Sequence, residues 1–485
     1  MKKHKEYSSL DLSKIGEEIL SFWNNNSVFD KSIADPLRPE NFTFYEGPPS
    51  ANGMPGIHHV IARTIKDLFC RYKTLKGYTV NRKAGWDTHG LPVELGVEKE
   101  MGLTKEDIGT KISIEDYNKA CRVNVMKYKK SWEEITSQMG YWVDMKNPYV
   151  TYDNKYIESV WWLLKQLHEK KLLYKGHTIQ PFSPKAGTGL STHELNQPGC
   201  YKNVKDTSAV AQFQIIKDKK SEFLFEKTNH SIYFLAWTTT PWTLPSNTAL
   251  AVGNKIIYSL IETLNQYSGK KNSIIIAKDL LGKFFKEENN SLDFENYNIG
   301  DKNLPYNIVD EFLGENLVGI NYDQLFKYAQ PNNGDAFRVL SGDFVTTEDG
   351  TGIVHLAPSF GADDNRVAKQ NGIGSLTLVD QQGRFTEEVS DFKGQFVKDE
   401  YYGENDEKPK LSADIQIVIK LKDNGLLFNS EKYEHSYPHC WRTDKPILYY
   451  PLDSWFVKTT DHKKRMLELN KPINWKPAST GEGRF

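Results

Sequence analysis

Apolar residues at Ile15, Ile19, Phe22 and Trp23 recur at helical spacing and predict a helix over residues 11–25. It reads as a packing element against a nucleotide-binding core, without chemistry of its own. A β-prone run then alternates through Phe42 and Phe44 and ends in Glu46-Gly47-Pro48-Pro49. Gly and Pro punctuate the residues that follow, so the chain turns there instead of extending. Ile61, Ile65, Leu68, Phe69 and Tyr72 share one face of a second amphipathic helix, which Gly77 stops. Beyond it, Tyr78-Thr79-Val80 leads into Gly85-Trp86-Asp87-Thr88-His89-Gly90. Strand, Gly-rich turn, helix and strand in this order predict a βαβ unit of a nucleotide-binding sheet. Ligands of such sheets sit beyond the carboxyl ends of the strands and at helix N-termini.

Helical periodicity returns over Tyr117 to Met139 and over Tyr156 to Leu173, the latter through Val160, Trp161, Leu164 and Leu167. Trp161 and Trp162 are expected in the core, where aromatics at helical spacing ordinarily lie. From about residue 206 the pattern shortens to alternating strands at Ala209 to Ile215, Ile232 to Leu235 and Ser273 to Ala277. Turn residues separate them, as in a β-rich, barrel-like domain. Gly- and Asn-rich turns continue to about residue 395, Ile415 to Leu427 reads as a helix, and Ile447 to Tyr450 and Asp453 to Val457 are strand-like. The simplest organisation is one β-rich domain, residues 206–430, inserted between residues 1–205 and 431–485 of an α/β nucleotide-binding domain.

Composition changes this picture little. A chain of 485 residues is long enough for two or more domains. Lys and Arg number 62 against 63 Asp and Glu, so no global basic field advertises nucleic acid and any RNA contact must use local patches. The opening MKKHKEYSSL is charged but lacks the apolar core of a secretory signal, and the longest apolar runs, such as Val160 to Leu164, are too short to span a bilayer. Cys70, Cys121, Cys200 and Cys440 are scattered without paired spacing, which argues for reduced thiols in a cytoplasmic protein.

Two histidines, His58 and His59, stand where the second helix begins. A helix N-terminus presents free N–H groups and a partial positive charge, so imidazoles there can help hold a polyphosphate; capping or plain solvation is the alternative. With its surroundings, this stretch resembles the first signature of the class I aminoacyl-tRNA synthetases, and GWDTHGLPVE is similar to the isoleucyl members of that class. The signature is His-x-Gly-His, whereas this chain has Gly56-Ile57-His58-His59, with the first His and the Gly exchanged. The resemblance implies that His59 binds ATP and stabilises the transition state, that His58 assists from the neighbouring position, and that Gly56 lets the nucleotide approach the backbone. The fold it implies is α/β: a Rossmann-type, parallel-sheet nucleotide-binding domain interrupted by the β-rich, barrel-like insert.

The run Trp237-Thr-Thr-Thr-Pro-Trp-Thr-Leu-Pro-Ser-Asn247 is the second informative stretch, although three threonines before a proline can also form an ordinary β-edge. Downstream, Gly350 to Asp364 combines a Gly-rich start, which allows close backbone approach, with His355, Asp363 and Asp364. Together the two stretches resemble the editing domain of the isoleucyl, valyl and leucyl group. The resemblance implies that Thr238, Thr239 and Thr240 cradle the terminal adenosine of a charged tRNA, that Asp364 grips the amino group of the wrong amino acid, and that His355 shapes the pocket. Its neighbour Asp363 can simply solvate the loop.

By the same resemblance Gly47 and Pro48 floor an amino-acid pocket, Asp87 binds the substrate ammonium, and Trp455 lines the side-chain site, with plain core as the alternative for Trp455. The implied activity is isoleucine–tRNA ligation with hydrolytic editing of valyl-tRNA. The implied substrates and partners are isoleucine, ATP accompanied by Mg²⁺, and an isoleucine-accepting tRNA; a monomer and no membrane are expected. No zinc site is expected, because Cys440 lacks a second Cys at knuckle spacing and Cys200 is alone, although His435 and His439 add two possible ligands at i, i+4. The resemblance implies a further signature loop, Lys-Met-Ser-Lys-Ser, which does not occur here, so by the same resemblance the chain reads as the N-terminal portion of a longer enzyme, inactive by itself in amino-acid activation. A freestanding deacylase and a non-catalytic tRNA-binding fragment remain as alternatives.

Overall fold

Two units make up the computed structural model, Met1–Tyr174 with Val457–Phe485, and Lys175–Phe456. The structure describes residues 6, 8–34, 37–404 and 406–483. Most of the amino-terminal stretch read as lacking a secretory signal lies outside the described residues. No helix among the described residues is long and apolar enough to cross a membrane.

In the first unit the opening helix forms over Leu12–Asn25, started by Asp11, whose carboxylate accepts the Lys14 N–H at 3.1 Å. The predicted βαβ unit is present. Strands Glu40–Asn41 and Tyr78–Thr79 pair in parallel, with the helix Ile57–Leu75 as their crossover. The first strand is shorter and earlier than the Phe42–Phe44 alternation suggests; Phe42 contributes only one further bond, its N–H donating to Thr79 O at 3.0 Å. A second parallel pair joins Lys83–Trp86 to Asp144–Val150.

The face of the helix Ile57–Leu75 that sequence periodicity assigns to the core is instead exposed: Ile61, Ile65, Leu68, Phe69 and Tyr72 are all more than half accessible. The buried face carries Arg63, Cys70 and Thr74. A polar network holds that face. Arg82 is almost wholly buried and donates to Thr74 Oγ1 (2.7 Å), Asp67 Oδ1 (3.3 Å) and the Trp142 carbonyl (3.4 Å), while Arg71 pairs with Asp67 Oδ2 at 2.5 Å. These charged hydrogen bonds fix the helix where its apolar stripe does not. Arg82→Met should therefore lower stability by about 2–3 kcal/mol. That is less than the ~3–5 kcal/mol of stranding a lone buried charge, because Arg71 still pairs with Asp67. Urea unfolding followed by tryptophan fluorescence reads the loss, and an unchanged midpoint would make the network ornamental.

The long helix expected over Tyr117 to Met139 is two helices, Ile114–Asn124 and Lys129–Gln138. The helix Asn154–Glu169 follows, and none of its residues is buried. Trp161 and Trp162 are 68% and 61% exposed, which corrects their assignment to the core. Periodicity identifies a face that can be covered; it does not say that anything covers it.

The second unit is built on a six-stranded mixed sheet in the order Tyr306–Leu313, Ile257–Leu264, Lys271–Ala277, Ile232–Thr238, Tyr201–Gln214, Leu427–Pro438. All neighbours are antiparallel except Ile232–Thr238 with Lys271–Ala277. A three-stranded sheet sets Ala249–Val252 between Arg338–Ser341, parallel, and Ile353–Leu356, antiparallel. Both strand orders are open, so the closure implied by a barrel-like domain is not among these pairings. Nor do the central strands alternate. Ile274, Ile275 and Ile276 are all fully buried, as are Ala209, Ala211 and Phe213, because Leu250, Val252, Val339 and Ile353 of the smaller sheet join the same core. The helix expected over Ile415 to Leu427 ends sooner, at Ala413–Asp423, and Leu427 already opens a strand.

Candidate functional site

The first unit carries a cleft of about 470 Å³ whose lining includes Gly47, Pro48, Pro49, Ser50, His59, Arg63, Lys66 and Trp132. Its irregular Gly-Pro wall is pinned at both ends. The Glu46 carboxylate takes Lys66 Nζ at 2.6 Å and the Tyr141 hydroxyl, while Trp132 Nε1 donates to Gly53 O at 2.8 Å and Tyr128 N–H to Ala51 O at 2.9 Å. Asp87 follows the strand Lys83–Trp86, at the carboxyl end of a parallel pair, and its N–H donates to Pro49 O at 3.0 Å. Its exposed carboxylate has no hydrogen-bond or ion-pair partner among the described residues.

His59 sits in the first turn of the helix Ile57–Leu75. Its Nδ1 accepts the Gly56 N–H at 2.9 Å, and its ring meets the Trp132 ring edge-on at 4.6 Å and the His58 ring at 3.8 Å. With Nδ1 occupied as an acceptor, the neutral ring carries its proton on Nε2. Burial, followed by the nearby His58 and Arg63, pushes the pKa below the usual histidine range, so at neutral pH this is a hydrogen-bond donor and not a cation. His58 is exposed. Thus Gly47, Pro48 and His59 line the cleft, and Gly56 is bonded to His59. Asp87 joins the Gly-Pro wall through its backbone without lining the cleft, and His58 does not line it either. Trp455 lies on the strand Leu448–Val457 of the second unit and is 65% exposed, so the core alternative does not hold for it.

The second unit has its own cleft, about 430 Å³, lined by Thr238, Thr239, Thr240, Thr243, His355 and Asp364 among others. The threonines leave the end of the strand Ile232–Thr238. Thr240 N–H donates to Thr238 Oγ1 at 3.0 Å, and the two hydroxyl oxygens lie 3.2 Å apart. Asp364 stands in the first turn of the helix Ala362–Gln370, and its Oδ2 accepts the Ala357 N–H at 2.9 Å. A methyl group on Gly361 would lie 2.6 Å from Asp364 Cγ, so glycine makes room for the carboxylate. Burial pushes this carboxyl up to about 6, with the Ala357 N–H opposing. Asp363, by contrast, is exposed and paired with Arg366 at 3.1 Å. Gly350 and Gly352 take left-handed φ of 71° and 72°, and the close approaches they permit are to Trp237 and Ala277.

His355 is buried within a closed bracket. Its Nε2 lies 2.8 Å from Thr243 Oγ1, which itself donates to Thr240 O at 2.8 Å; its Nδ1 lies 3.2 Å from Asn247 Nδ2. Since the amide nitrogen can only donate, Nδ1 accepts and Nε2–H donates to Thr243. Burial pushes the pKa down to about 4, so the ring stays neutral and both nitrogens are spoken for. Thr243 and Asn247 are functional candidates that sequence reasoning missed, although both lie within the Thr-rich run; nothing in their spacing marks them as partners of a histidine 108 residues beyond Asn247.

The possible metal ligands behave differently. His435 and His439 flank the end of the strand Leu427–Pro438, where residues four apart are about 13 Å distant. His435 Nε2 pairs with Asp206 Oδ2 at 3.2 Å, and His439 Nδ1 faces Tyr437 O at 2.9 Å, so they do not converge. Cys200 and Cys440 are brought near one another, with His439 N–H donating to Cys200 O at 2.7 Å. Among the described residues no group of three or more His, Cys, Asp or Glu is placed to hold a metal.

A family profile described as tRNA synthetases class I (I, L, M and V) matches residues 18–485. The isoleucine–tRNA ligase of Cytophaga hutchinsonii is 59% identical over 98% of this chain and 44% of its own length. That of Bacteroides thetaiotaomicron is 55% identical over 100% of this chain and 45% of its own. The chain thus spans a little under half the length of these curated relatives. Among solved structures, the P. knowlesi cytosolic leucyl-tRNA synthetase editing domain is 12% identical, with 48% of this chain and 97% of that one covered and a TM-score of 0.33, too distant a likeness to support any inference. Matched over residues 18–485 and carrying both clefts, the chain belongs to the class I tRNA synthetases of the isoleucine, leucine, methionine and valine group.

Proposed function

We propose that this chain is the amino-terminal part of an isoleucine–tRNA ligase, holding the first portion of its activation site and a complete site for hydrolysing valyl-tRNA. The two parallel strand pairs of the first unit are then the start of a Rossmann-type sheet, and residues 206–430 within the β-rich second unit are its barrel-like editing insert. The observation that carries the activation reading is the Pro49–Asp87 bond, which ties the Gly-Pro turn to a free carboxylate at the end of a parallel strand. Asp87 holds the isoleucine ammonium over Gly47 and Pro48. His59, through Nε2–H, and the N-terminus of its helix face the ATP phosphates as the isoleucine carboxylate attacks the α-phosphate and pyrophosphate leaves. Mg²⁺ enters with ATP, held chiefly by phosphate oxygens and water. A ribose hydroxyl of tRNA then takes the acyl group from the adenylate, and AMP leaves.

Isoleucine and valine, the standard illustration of this limit, differ by one methylene, worth only ~1–3 kcal/mol in an apolar pocket. A second cleft that admits valine removes the error. There Asp364 receives the ammonium of the esterified valine, and the threonine hydroxyls face the terminal adenosine and the attacking water. His355, neutral and bonded on both sides, shapes the pocket and is not the base. Because Asp364 must be ionised to hold an ammonium, and its carboxyl is pushed up to about 6, hydrolysis should fall steeply as pH drops from 7 to 5. An exposed aspartate would hold its charge through that window. A flat profile of valyl-tRNA hydrolysis over it would remove Asp364 from substrate binding.

Isoleucine-dependent ATP–pyrophosphate exchange by the full-length protein tests the whole assignment. Exchange with isoleucine favoured over leucine and valine is expected. Hydrolysis of valyl-tRNA without any exchange would leave a deacylase in its place, and neither activity would leave a tRNA-binding fragment.

A further inference from the structure

The short helix Pro241–Ser246 begins immediately after the three threonines. The first N–H groups of such a helix have no partner inside it, and Pro241 has none to offer. The next, on Trp242, is buried and does have a partner: it donates to Asp414 Oδ1 at 2.9 Å, from a helix 172 residues away in sequence. Asp414 stands in the first turn of the helix Ala413–Asp423 and is itself buried. Neither the threonines nor the downstream Gly-rich stretch contains it.

Trp242 packs into the core, but among the described residues the other hydrogen bonds of the Thr240 to Thr243 turn come from the Thr-rich run itself and from His355 in the cleft. Thr243 N–H and Oγ1 both bond Thr240 O, at 3.0 and 2.8 Å, and His355 reaches Thr243. Asp414 is the hold from outside. The Trp242 ring, meeting Phe360 edge-on at 5.1 Å, carries that hold to a second wall of the cleft. A buried carboxylate is costly unless it is compensated. Here Lys398 faces it, itself buried and paired with Asp206 at 2.7 Å, where His435 also docks. Burial still pushes the Asp414 carboxyl up to about 7, so its useful property is an acceptor oxygen, available whether or not the group is charged.

We infer that Asp414 is a positioning residue for hydrolysis in this cleft: by capping the helix that starts at the threonines, it fixes Thr240 toward the ester and keeps Thr243 on His355. It touches no substrate and acts through the backbone of Trp242. This rests on the editing role proposed above.

The experiment compares Asp414→Ala and Asp414→Asn with the unaltered full-length protein, reading valyl-tRNA hydrolysis and the hydrogen exchange of the peptide spanning Thr238 to Asn247. The alanine variant should lose kcat by roughly tenfold to a hundredfold with KM nearly unchanged, and should exchange faster in that peptide. The asparagine variant keeps the acceptor oxygen and should stay near the unaltered protein in both readouts, a rescue that loss of general stability would not produce. Normal hydrolysis by Asp414→Ala, or equal losses in both variants, would overturn the inference. If Asp414→Ala does not fold, the asparagine variant and the protection of the Trp242 amide in the unaltered protein decide the matter, since an unprotected amide refutes the cap. If the unaltered protein does not hydrolyse valyl-tRNA, the editing role fails, and the exchange comparison still reports on the cap.

Discussion

Asp364→Ala in the full-length ligase is expected to abolish hydrolysis of valyl-tRNA while isoleucine-dependent ATP–pyrophosphate exchange stays near normal. The carboxylate is partly buried where it lines the cleft, and its other acidic neighbour, Asp363, is turned outward onto Arg366, so no second charge can replace it. An ammonium brought into the cleft without it is a buried charge with no partner, a loss of ~3–5 kcal/mol. All the groups of that cleft belong to the second unit, whereas Asp87 and His59 belong to the first, which is why exchange should survive. Both reactions are measured on one sample, with pre-charged valyl-tRNA for the first. Unimpaired deacylation would sink the role given to Asp364, and lost exchange would show that the two activities are not separable.

The second large effect concerns the exchanged signature. His59→Ala should lower isoleucine activation by roughly a hundredfold or more, the scale of removing a positioned donor from a developing charge, while His58→Ala should cost far less. The ground is geometric: His59 lies in the cleft with its Nδ1 fixed by Gly56, whereas His58 is exposed beside it. Pyrophosphate exchange by the two variants decides the order. A larger loss at His58 would mean that the histidines traded roles together with their positions.

The turns and element ends around both clefts were more legible than the packing that holds them. Gly47, Pro48, His59 and Asp87 stand at a turn, a helix start and a strand end, local events written in neighbouring residues, while the roles proposed for them came from the resemblance to the class I signature. The same holds for the threonines and Asp364. What stayed hidden is long-range or polar. The amphipathic stripe of the helix Ile57–Leu75 predicts a buried face correctly in kind and wrongly in place, since a network around Arg82 holds the other side. Asn247 and Asp414 reach the second cleft only through folding, over 108 and 172 residues, and nothing in their local pattern points there. His435 and His439 misled because four-residue spacing means adjacency on a helix and separation on a strand.

The uncovered face of the helix Asn154–Glu169 has a practical side. Two adjacent indoles in water, Trp161 and Trp162, emit at longer wavelength than the enclosed Trp86, Trp132 and Trp242. The first unit thus carries a built-in optical reporter. Anything that settles on that helix and excludes water should shift its share of the red edge of the emission to the blue without a label, the remainder coming from the exposed Trp441 and Trp455 of the second unit.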